Sequence, residues 1–322
     1  MEIKRLASLL LLGSMILFGS MALCTRRLSA AGLSSVDVTF IRLFIAAFVL
    51  LVVLLIRSPK SLMVRRRDLP FLILFGIFKF LADYTFFHAL NATNVGLATV
   101  FQNTAPYFVM AVSFFLFKEK VSRRVLMAVM VGSFGCVLMM QSAILNSALD
   151  PLGLIFAILS GFFLGMYYIG SRISIDREYA PSTYLFYMFL VAMIVSIPFA
   201  NLNRIVESMS DTDVLINSLI LGIVMTLIPY YISTWSVKYL GEMNVSVISV
   251  SEVVFAEIVG AMFFDEAIGP IEVIGTLLII ASLVLINLAP DIEQRIGKTP
   301  KVLKHVLLES YWNNRDGSDR NP

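Results

Sequence analysis

The sequence predicts an all-α integral membrane protein with ten transmembrane helices, arranged as two inverted five-helix repeats with both termini in the cytoplasm. The first observation is composition: of 322 residues, 58% are hydrophobic and 15% are charged, with a mean hydropathy of +0.86, far from soluble globular proteins. The second is that the apolar residues form stretches of about 18 to 23 residues, long enough to cross a hydrocarbon core of roughly 30 Å. The third is that lysine and arginine concentrate in alternate loops.

The ten apolar spans follow one another through short loops, which leave no room for a soluble domain between them. In chain order they cover residues 6–25, 36–56, 69–90, 95–117, 125–142, 151–171, 182–200, 214–236, 245–264 and 270–289. Runs of this length predict helices, since a spanning strand needs only about ten residues and alternates apolar with polar positions. The first run is too long for a signal-peptide core and another span follows at once, so we interpret it as a retained helix.

The basic residues predict the orientation of the chain. If the N-terminus lies in the cytoplasm, the inside segments hold 20 lysines and arginines, and the outside loops hold only Arg26, Arg27 and Arg204. This asymmetry is typical of multi-pass proteins of the cytoplasmic membrane. It predicts a short cytoplasmic N-terminus over residues 1–5 and a basic cytoplasmic tail over residues 290–322.

The two halves of the chain resemble each other. FKEKV at 117–121 aligns with FDEAI at 264–268, an offset of 147, and LNATNVGLATV at 90–100 aligns with LGEMNVSVISV at 240–250, an offset of 150. The repeats would cover residues 6–142 and 151–289. Because five spans is an odd number, the second half must enter the membrane in the opposite orientation. Inverted repeats are typical of secondary transporters, whose solute site lies near the midplane between the halves.

The chain resembles a known family at several positions. These are an arginine in the second span (FIRLFIAA), the passage HALNATNVGLATVFQNTAPYFVMAVSFFLFKEKVS, and its partner SVSEVVFAEIVGAMFFDEAIGPIEVIGTLLIIASLVLI. Together with the layout of ten spans they resemble the EamA family of the drug/metabolite transporter superfamily. The resemblance implies a secondary carrier, commonly an exporter of amino acids or related small metabolites, without cofactor or ATP site. One departure is Val253, where the family often has proline, which argues against unwinding of the ninth helix there.

Charged residues inside spans are the first candidates for solute contacts, because each is costly if it faces lipid. Lys79 and Asp83 are four residues apart on one helix face and can neutralise each other. They are either a structural ion pair or a receptor for a zwitterion, with Lys79 on a carboxylate and Asp83 on an ammonium. Arg42 is close enough to the outer surface to snorkel, whereas the family resemblance favours a role in a cavity or gate.

Glu252 is the leading candidate for proton coupling, with Asp83 as the second. It lies seven residues into the ninth span among serines, and a carboxylate in a low-dielectric site suits a proton-coupled antiporter. Glu257 is five residues further on, a rotation of about 140°, so both carboxylates cannot face one narrow cavity. The alternative for Glu252 is a neutral side chain that bridges helices.

The fourth span supplies neutral candidates. Gln102, Asn103 and Thr104 cover about 200° of arc, so at least one side chain points inward, and Pro106 frees a nearby carbonyl. We expect Tyr107, one turn from Asn103, to face the cavity. Ordinary interhelical hydrogen bonds are the alternative. The remaining aromatic candidates are expected in the interfacial belt near the cytoplasmic helix ends: Tyr167, Tyr168, Tyr231 and Trp235.

The sequence therefore predicts a secondary active transporter that moves a small organic metabolite, an amino acid or related compound, across the cytoplasmic membrane by alternating access, with efflux as the leading direction. The alternatives are a channel or scaffold, or a carrier of another solute class such as drugs or nucleotide precursors. An enzyme is disfavoured, because only two histidines occur and one lies in the tail. We expect no metal, cofactor or nucleic acid, and a cavity lined from the third, fourth and ninth helices and open to one side.

Overall fold

The structure is a computed structural model that describes residues 2–93, 95–141, 150–264 and 269–287. Within these ranges the regular structure is helical and contains no strand. Eight segments are long and apolar enough to cross a membrane: Glu2–Ala30, Ser35–Arg57, Arg66–Ala92, Ala98–Phe117, Pro151–Asp176, Pro181–Phe199, Thr212–Leu240 and Glu242–Phe263. They correspond to eight of the ten predicted spans and confirm a multi-pass helical protein.

The fifth and tenth predicted spans correspond to two shorter apolar helices, Arg123–Met139 and Pro270–Asn287. These two helices pack on each other. The count of ten crossings and the cytoplasmic placement of the termini therefore stay predictions. The tail over residues 290–322 and most of the second repeat motif, at 265–268, lie outside the described residues.

The described part of the first half contains seven α-helices. They are α1 (Glu2–Gly19), α2 (Met21–Ala30), α3 (Ser35–Arg57), α4 (Leu69–Ala92), α5 (Val95–Gln102), α6 (Ala105–Phe117) and α7 (Arg123–Met139). The start of α3 is set by a capping box: Asp37 N–H donates to Ser34 Oγ at 3.2 Å, and Ser34 N–H donates to Asp37 Oδ2 at 2.9 Å, which satisfies two backbone donors.

The second half repeats this order. Its α-helices are α8 (Pro151–Asp176), α9 (Pro181–Ser196), α10 (Leu202–Ser208), α11 (Thr212–Leu219), α12 (Ile228–Leu240), α13 (Glu242–Ser249), α14 (Glu252–Phe264) and α15 (Pro270–Asn287). A π-helical stretch, Ile220–Leu227, joins α11 to α12. It ends just before Pro229, which has no N–H to donate and so disturbs the regular helical ladder.

The fourth and ninth spans are both broken in the middle. The first break lies at Asn103–Thr104 between α5 and α6, and the second at Val250–Ser251 between α13 and α14. Tight turns replace the helical ladder: Thr104 N–H donates to Phe101 O at 3.1 Å and Ser251 N–H to Ile248 O at 3.0 Å. The ninth helix is thus interrupted although Val253 stands where proline was expected, and the prediction of a continuous helix there is wrong.

Side-chain hydrogen bonds explain why the second break forms without proline. Ser249 Oγ donates to Val245 O at 2.9 Å and Ser251 Oγ to Ile248 O at 2.7 Å. Hydroxyls that bond to carbonyls of the preceding turn compete with backbone donors and bend helices. The same occurs at the first break, where Thr104 Oγ1 donates to Phe101 O at 2.6 Å.

The broken helices are equivalent at a single offset. Helices α13 and α14 begin and end 147 residues after α5 and α6, respectively. The expected offset of 150 for residues 90–100 is therefore wrong within the broken helix. That alignment matched residue types, whereas the ends of the half-helices are determined by backbone hydrogen bonding.

The helix contacts are related by an exchange of the two halves. Helix α4 packs on α8 as α12 packs on α1, and α9 packs on α4 as the π-helical stretch packs on α3. Two further contacts join a helix to its own equivalent in the other half: α3 packs on α9, and α7 packs on α15. Both halves therefore contribute to one bundle, with the broken helices between them.

Candidate functional site

The two breaks meet at a small cavity in the bundle. It is lined by Gln102, Asn103, Ala105 and Pro106 from the first break, Ser246, Ser249, Val250 and Glu252 from the second, and Leu164 and Tyr168 from α8. Its free volume is about 10 Å³, room for about one water molecule. The cavity in this conformation therefore has no room for an organic solute.

The lining differs in part from the expected one. The fourth and ninth spans line the cavity as expected, whereas the third wall comes from α8 rather than from the third span. Gly161 and Gly165 allow this, because a Cβ at either position would crowd the carbonyls of Phe101 and Ala105. Leu164 and Tyr168 follow these glycines at helical spacing. The glycine pair was thus a usable signal for the α8 wall.

Two polar side chains of the cavity are oriented by hydrogen bonds to carbonyls of the broken helices. Asn103 Nδ2 donates to Thr99 O at 2.9 Å and Ser246 Oγ to Met243 O at 2.8 Å, so their remaining capacity is mainly as acceptors. Helices α6 and α14 both begin at the cavity, so their positive dipole ends lie beside it. Glu252, the first residue of α14, is favourably placed for a negative charge.

Tyr107 does not line the cavity. Its side chain is 36% exposed, and the expectation that it faces inward is not met. That expectation assumed one continuous helical turn from Asn103, whereas the helix is interrupted between the two residues. Glu257 is also absent from the lining, in keeping with the rotation that separates it from Glu252.

A buried charge cluster joins α3 to α4. Lys79 Nζ is 2.6 Å from Asp83 Oδ2, and Arg42 Nη2 is 2.7 Å from Asp83 Oδ1. The exposed fractions are 2% for Lys79, 7% for Arg42 and 8% for Asp83. The predicted Lys79–Asp83 contact is present, and Arg42 joins it instead of snorkelling to the surface, because Asp83 supplies a buried counter-charge. Two cations and one carboxylate leave this cluster with an excess positive charge.

The guanidinium of Arg42 also contacts α2. Its Nη1 is 3.4 Å from the Met21 thioether, a weak acceptor. Its Nε is buried and has no hydrogen-bond partner among the described residues.

Buried tyrosines complete the surroundings of the cluster. Tyr167, Tyr168 and Tyr230 are 3%, 5% and 7% exposed, so the expectation of Tyr167 and Tyr168 in an interfacial belt is wrong. Tyr167 Oη donates to Tyr230 O at 3.1 Å and lies 2.9 Å from Thr234 Oγ1. A tyrosine whose hydroxyl has hydrogen-bond partners inside the bundle does not need to lie at the membrane–water interface. By contrast, Tyr231 is 41% exposed.

A second charge cluster, which the sequence did not suggest as a site, closes one end of the bundle. Arg172 of α8 contacts Glu242 at the start of α13 at 3.2 Å, Glu119 after α6 at 3.4 Å, and Asp176 at 3.1 Å. Ser113 Oγ donates to Glu242 Oε1 at 2.8 Å. Partial burial, and then the charge of Glu242, raise the pKa of the Glu119 carboxyl.

Comparison with known proteins identifies the family. The sequence profile described as the EamA-like transporter family matches residues 5–141 and again residues 151–288. The chain belongs to the EamA-like transporter family. The two matches confirm that its halves are copies of one unit and that this EamA-like chain is a multi-pass protein of the cell membrane.

Similar proteins support a transport function. An uncharacterized transporter of Archaeoglobus fulgidus is 25% identical over 272 residues, which are 84% of this chain and 93% of that protein. An uncharacterized transporter of Helicobacter pylori is 29% identical over 216 residues, which are 65% of this chain and 70% of that protein. A solved structure described only as a crystal structure of a protein has a TM-score of 0.69 at 19% identity, covering 87% of this chain and 96% of that chain. That likeness shows the shared fold. The EamA-like protein is thus a membrane transporter.

Proposed function

We propose that this EamA-like transporter is a secondary carrier that exports a small organic metabolite, an amino acid or a related compound, by alternating access. The observation that carries the proposal is the pair of broken helices, equivalent at an offset of 147 residues, whose breaks line one cavity. Discontinuous helices at corresponding positions of two repeats are the sign of a carrier's solute site, because their free backbone groups replace water around the solute.

The size of the cavity favours a carrier over a channel. A free volume of about 10 Å³ holds about one water molecule, so this conformation leaves no room for an organic solute at the two breaks. A carrier passes through such a state between its two open states, whereas an open pore needs a continuous path. A scaffold would have no need of two equivalent breaks that share a polar cavity.

Glu252 is the proposed proton-coupling group. It lines the cavity and is the first residue of a half-helix, so it lies at the helix break where a solute would bind. Asp83, the second candidate, has both carboxylate oxygens on cations, one on Arg42 and one on Lys79. A carboxylate held in this way is poorly suited to exchange protons with a passing solute, so we assign coupling to Glu252 alone.

The proposal is tested by transport in proteoliposomes. Purified full-length protein is reconstituted, and exchange of radiolabelled proteinogenic amino acids and monocarboxylates across the vesicle membrane is measured. We expect saturable exchange of at least one amino acid above the level of protein-free vesicles. Exchange of monocarboxylates alone would overturn the amino-acid class. No exchange of any compound, with protein that is monodisperse after extraction from the vesicles, would overturn the proposed function.

A further inference from the structure

The segment between α3 and α4 carries an unbalanced positive charge. Residues 57–68, called the basic loop below, contain five basic side chains and one acidic side chain. The basic ones are all exposed: Arg57, Lys60, Arg65, Arg66 and Arg67. Within the part of the chain that the structure describes, none of them forms an ion pair with a carboxylate. The loop therefore presents cations that the protein itself leaves without a counter-charge.

The single carboxylate of the basic loop, Asp68, is directed toward the bundle. It is 9% exposed, contacts Arg177 in the turn after α8, and accepts a hydrogen bond from Tyr179 Oη at 2.7 Å. Its charge is thus balanced by a cation outside the loop. The basic side chains gain no neutralisation from it.

The basic loop is fixed to the end of the bundle. Tyr187 Oη donates to Leu62 O at 2.7 Å, and Arg65 N–H donates to Tyr179 Oη at 3.2 Å. Leu62 and Val64 pack against the hydrophobic core. A backbone held in this way presents its side chains in a set arrangement, so a ligand that binds them pays little for ordering the loop.

The position of the basic loop favours a lipid over a soluble polyanion. The loop joins two segments that are long and apolar enough to cross a membrane, so its short chain lies at the level of the membrane surface. Ile56 and Met63 are 77% and 81% exposed and stand beside the basic residues in the chain. Apolar side chains of this kind contact acyl chains while basic ones reach the headgroups. A nucleic acid would engage only the charges.

We propose that the basic loop is a docking surface for an anionic phospholipid, whose phosphate is bound by the run Arg65, Arg66 and Arg67. Guanidinium groups recognise phosphate through paired N–H donors, and a basic cluster directly beside a transmembrane helix attracts anionic headgroups. The role is separate from the solute site, because it uses the surface of the bundle and not the cavity at the broken helices.

The test measures binding of radiolabelled phosphatidylglycerol to purified full-length protein in mixed micelles of a neutral detergent. Phosphatidylcholine with the same acyl chains is the comparison lipid. We expect phosphatidylglycerol to bind at least about tenfold more tightly at low salt, with a smaller preference at high salt because salt screens exposed charges. Equal affinity for the two lipids overturns the proposal. Displacement by soluble glycerol phosphate as effective as that by unlabelled phosphatidylglycerol would assign the surface to free phosphate esters and also overturn it.

Matched triple variants locate the surface. Replacement of Arg65, Arg66 and Arg67 by glutamine should lower the preference for phosphatidylglycerol about tenfold or more. The control replaces Lys118, Lys120 and Arg123, which are also exposed and lie at the same end of the bundle, and it should keep the preference within about twofold of the wild type. An equal loss in both variants would show general attraction to positive charge and would overturn the assignment.

A fixed loop and general attraction predict opposite effects of Asp68→Asn. This change removes a negative charge, so attraction to charge alone would strengthen the binding of phosphatidylglycerol. It also removes the carboxylate that joins the loop to Arg177 and Tyr179, and we therefore expect binding about threefold weaker than in the wild type. Tighter binding would contradict the proposed surface. Because lipid binding in detergent does not depend on transport, failure of the solute panel and failure of this assignment are distinguishable.

Discussion

Asp83 is held by two cations that come from different helices, Lys79 of α4 and Arg42 of α3. A buried ion cluster of this kind adds little net stability when complete, since the charges lose their hydration. Removal of one charged partner is strongly destabilising, because the remaining charges stay buried without a counter-charge. Asp83 is therefore a residue on which stability depends.

We expect Asp83→Asn to destabilise the protein by about 3–5 kcal/mol, because two cations then lose their only shared carboxylate. The measurement is equilibrium unfolding in detergent. Asp176→Asn is the matched control: its carboxylate is 46% exposed in its contact with Arg172, and we expect a cost of about 1 kcal/mol or less. An equal loss of unfolding free energy in both variants would show that Asp83 does not stabilise the buried cluster.

Glu252→Gln should abolish transport driven by a pH gradient and preserve exchange at equal pH, because glutamine keeps the shape of the side chain and cannot carry a proton. The measurement is labelled-solute flux in proteoliposomes with and without a gradient. The control is Glu257→Gln, the same change five residues further along α14 and away from the cavity lining, which should leave pH-driven flux intact. Unchanged pH-driven flux in Glu252→Gln would remove Glu252 from proton coupling.

The element that defines the site is the broken helix, present once in each half. The first break carries Pro106 and the second carries Val253 at the equivalent position, yet both helices restart after the same two-residue interruption. Proline is therefore compatible with the break and is not its cause. The polar side chains that bond back to the preceding turn are common to both copies.

This interpretation predicts that Val253→Pro is tolerated. Val253 is the second residue of α14, where its N–H makes only a tight-turn bond to Val250 O at 3.2 Å, and proline is well accommodated in the first helical turn. We expect a change in unfolding free energy of less than about 1 kcal/mol. Ile258→Pro, inside the same helix, should cost about 3 kcal/mol or more. Similar losses for both would contradict an interruption at Val250–Ser251.

At the scale of the whole molecule, the Arg172 cluster joins the segments that must separate if the cavity is to open at this end. Arg172 of α8 contacts Glu242 at the start of α13 and Glu119 in the loop after α6. The distribution of basic residues predicts that this end of the bundle is cytoplasmic. Glu119 and Asp176 are 42% and 46% exposed, whereas Glu242 is 1% exposed and has the Ser113 hydroxyl as its other described partner. Opening at this end must therefore also admit water to Glu242, because a buried carboxylate that loses its cation is costly.

We expect Arg172→Gln to shift the population toward a state that is open at this end. A cysteine introduced at Ser249, in the cavity lining, would then react faster with a membrane-impermeant maleimide, by about fivefold or more for a shift of about 1 kcal/mol. The native Cys24 and Cys136 are buried, and protein without the Ser249→Cys change gives the background. Arg177→Gln, which breaks the contact with Asp68, is the control and should not raise the rate. An equal rise in both variants would mean general loosening.

The sequence predicts much of the fold because hydropathy and charge are local properties. Eight spans, the repeat and the short loops follow from where apolar and basic residues lie along the chain. The predicted lining of the fourth and ninth spans includes Gln102, Asn103 and Glu252, which the structure places at one cavity. The errors for individual side chains concern the direction in which they point: Tyr107 is exposed, and Tyr167 and Tyr168 are buried.

Hydropathy and charge along the chain are enough to predict a two-repeat helical membrane protein with charges inside its spans, because lipid requires long apolar helices. They do not predict that Arg42 shares Asp83 with Lys79, that α8 supplies a wall of the cavity, or that both central helices are broken. These features depend on helix rotation and on contacts between residues far apart in the chain. A pattern of residue types along one helix does not specify which neighbour its side chains will meet.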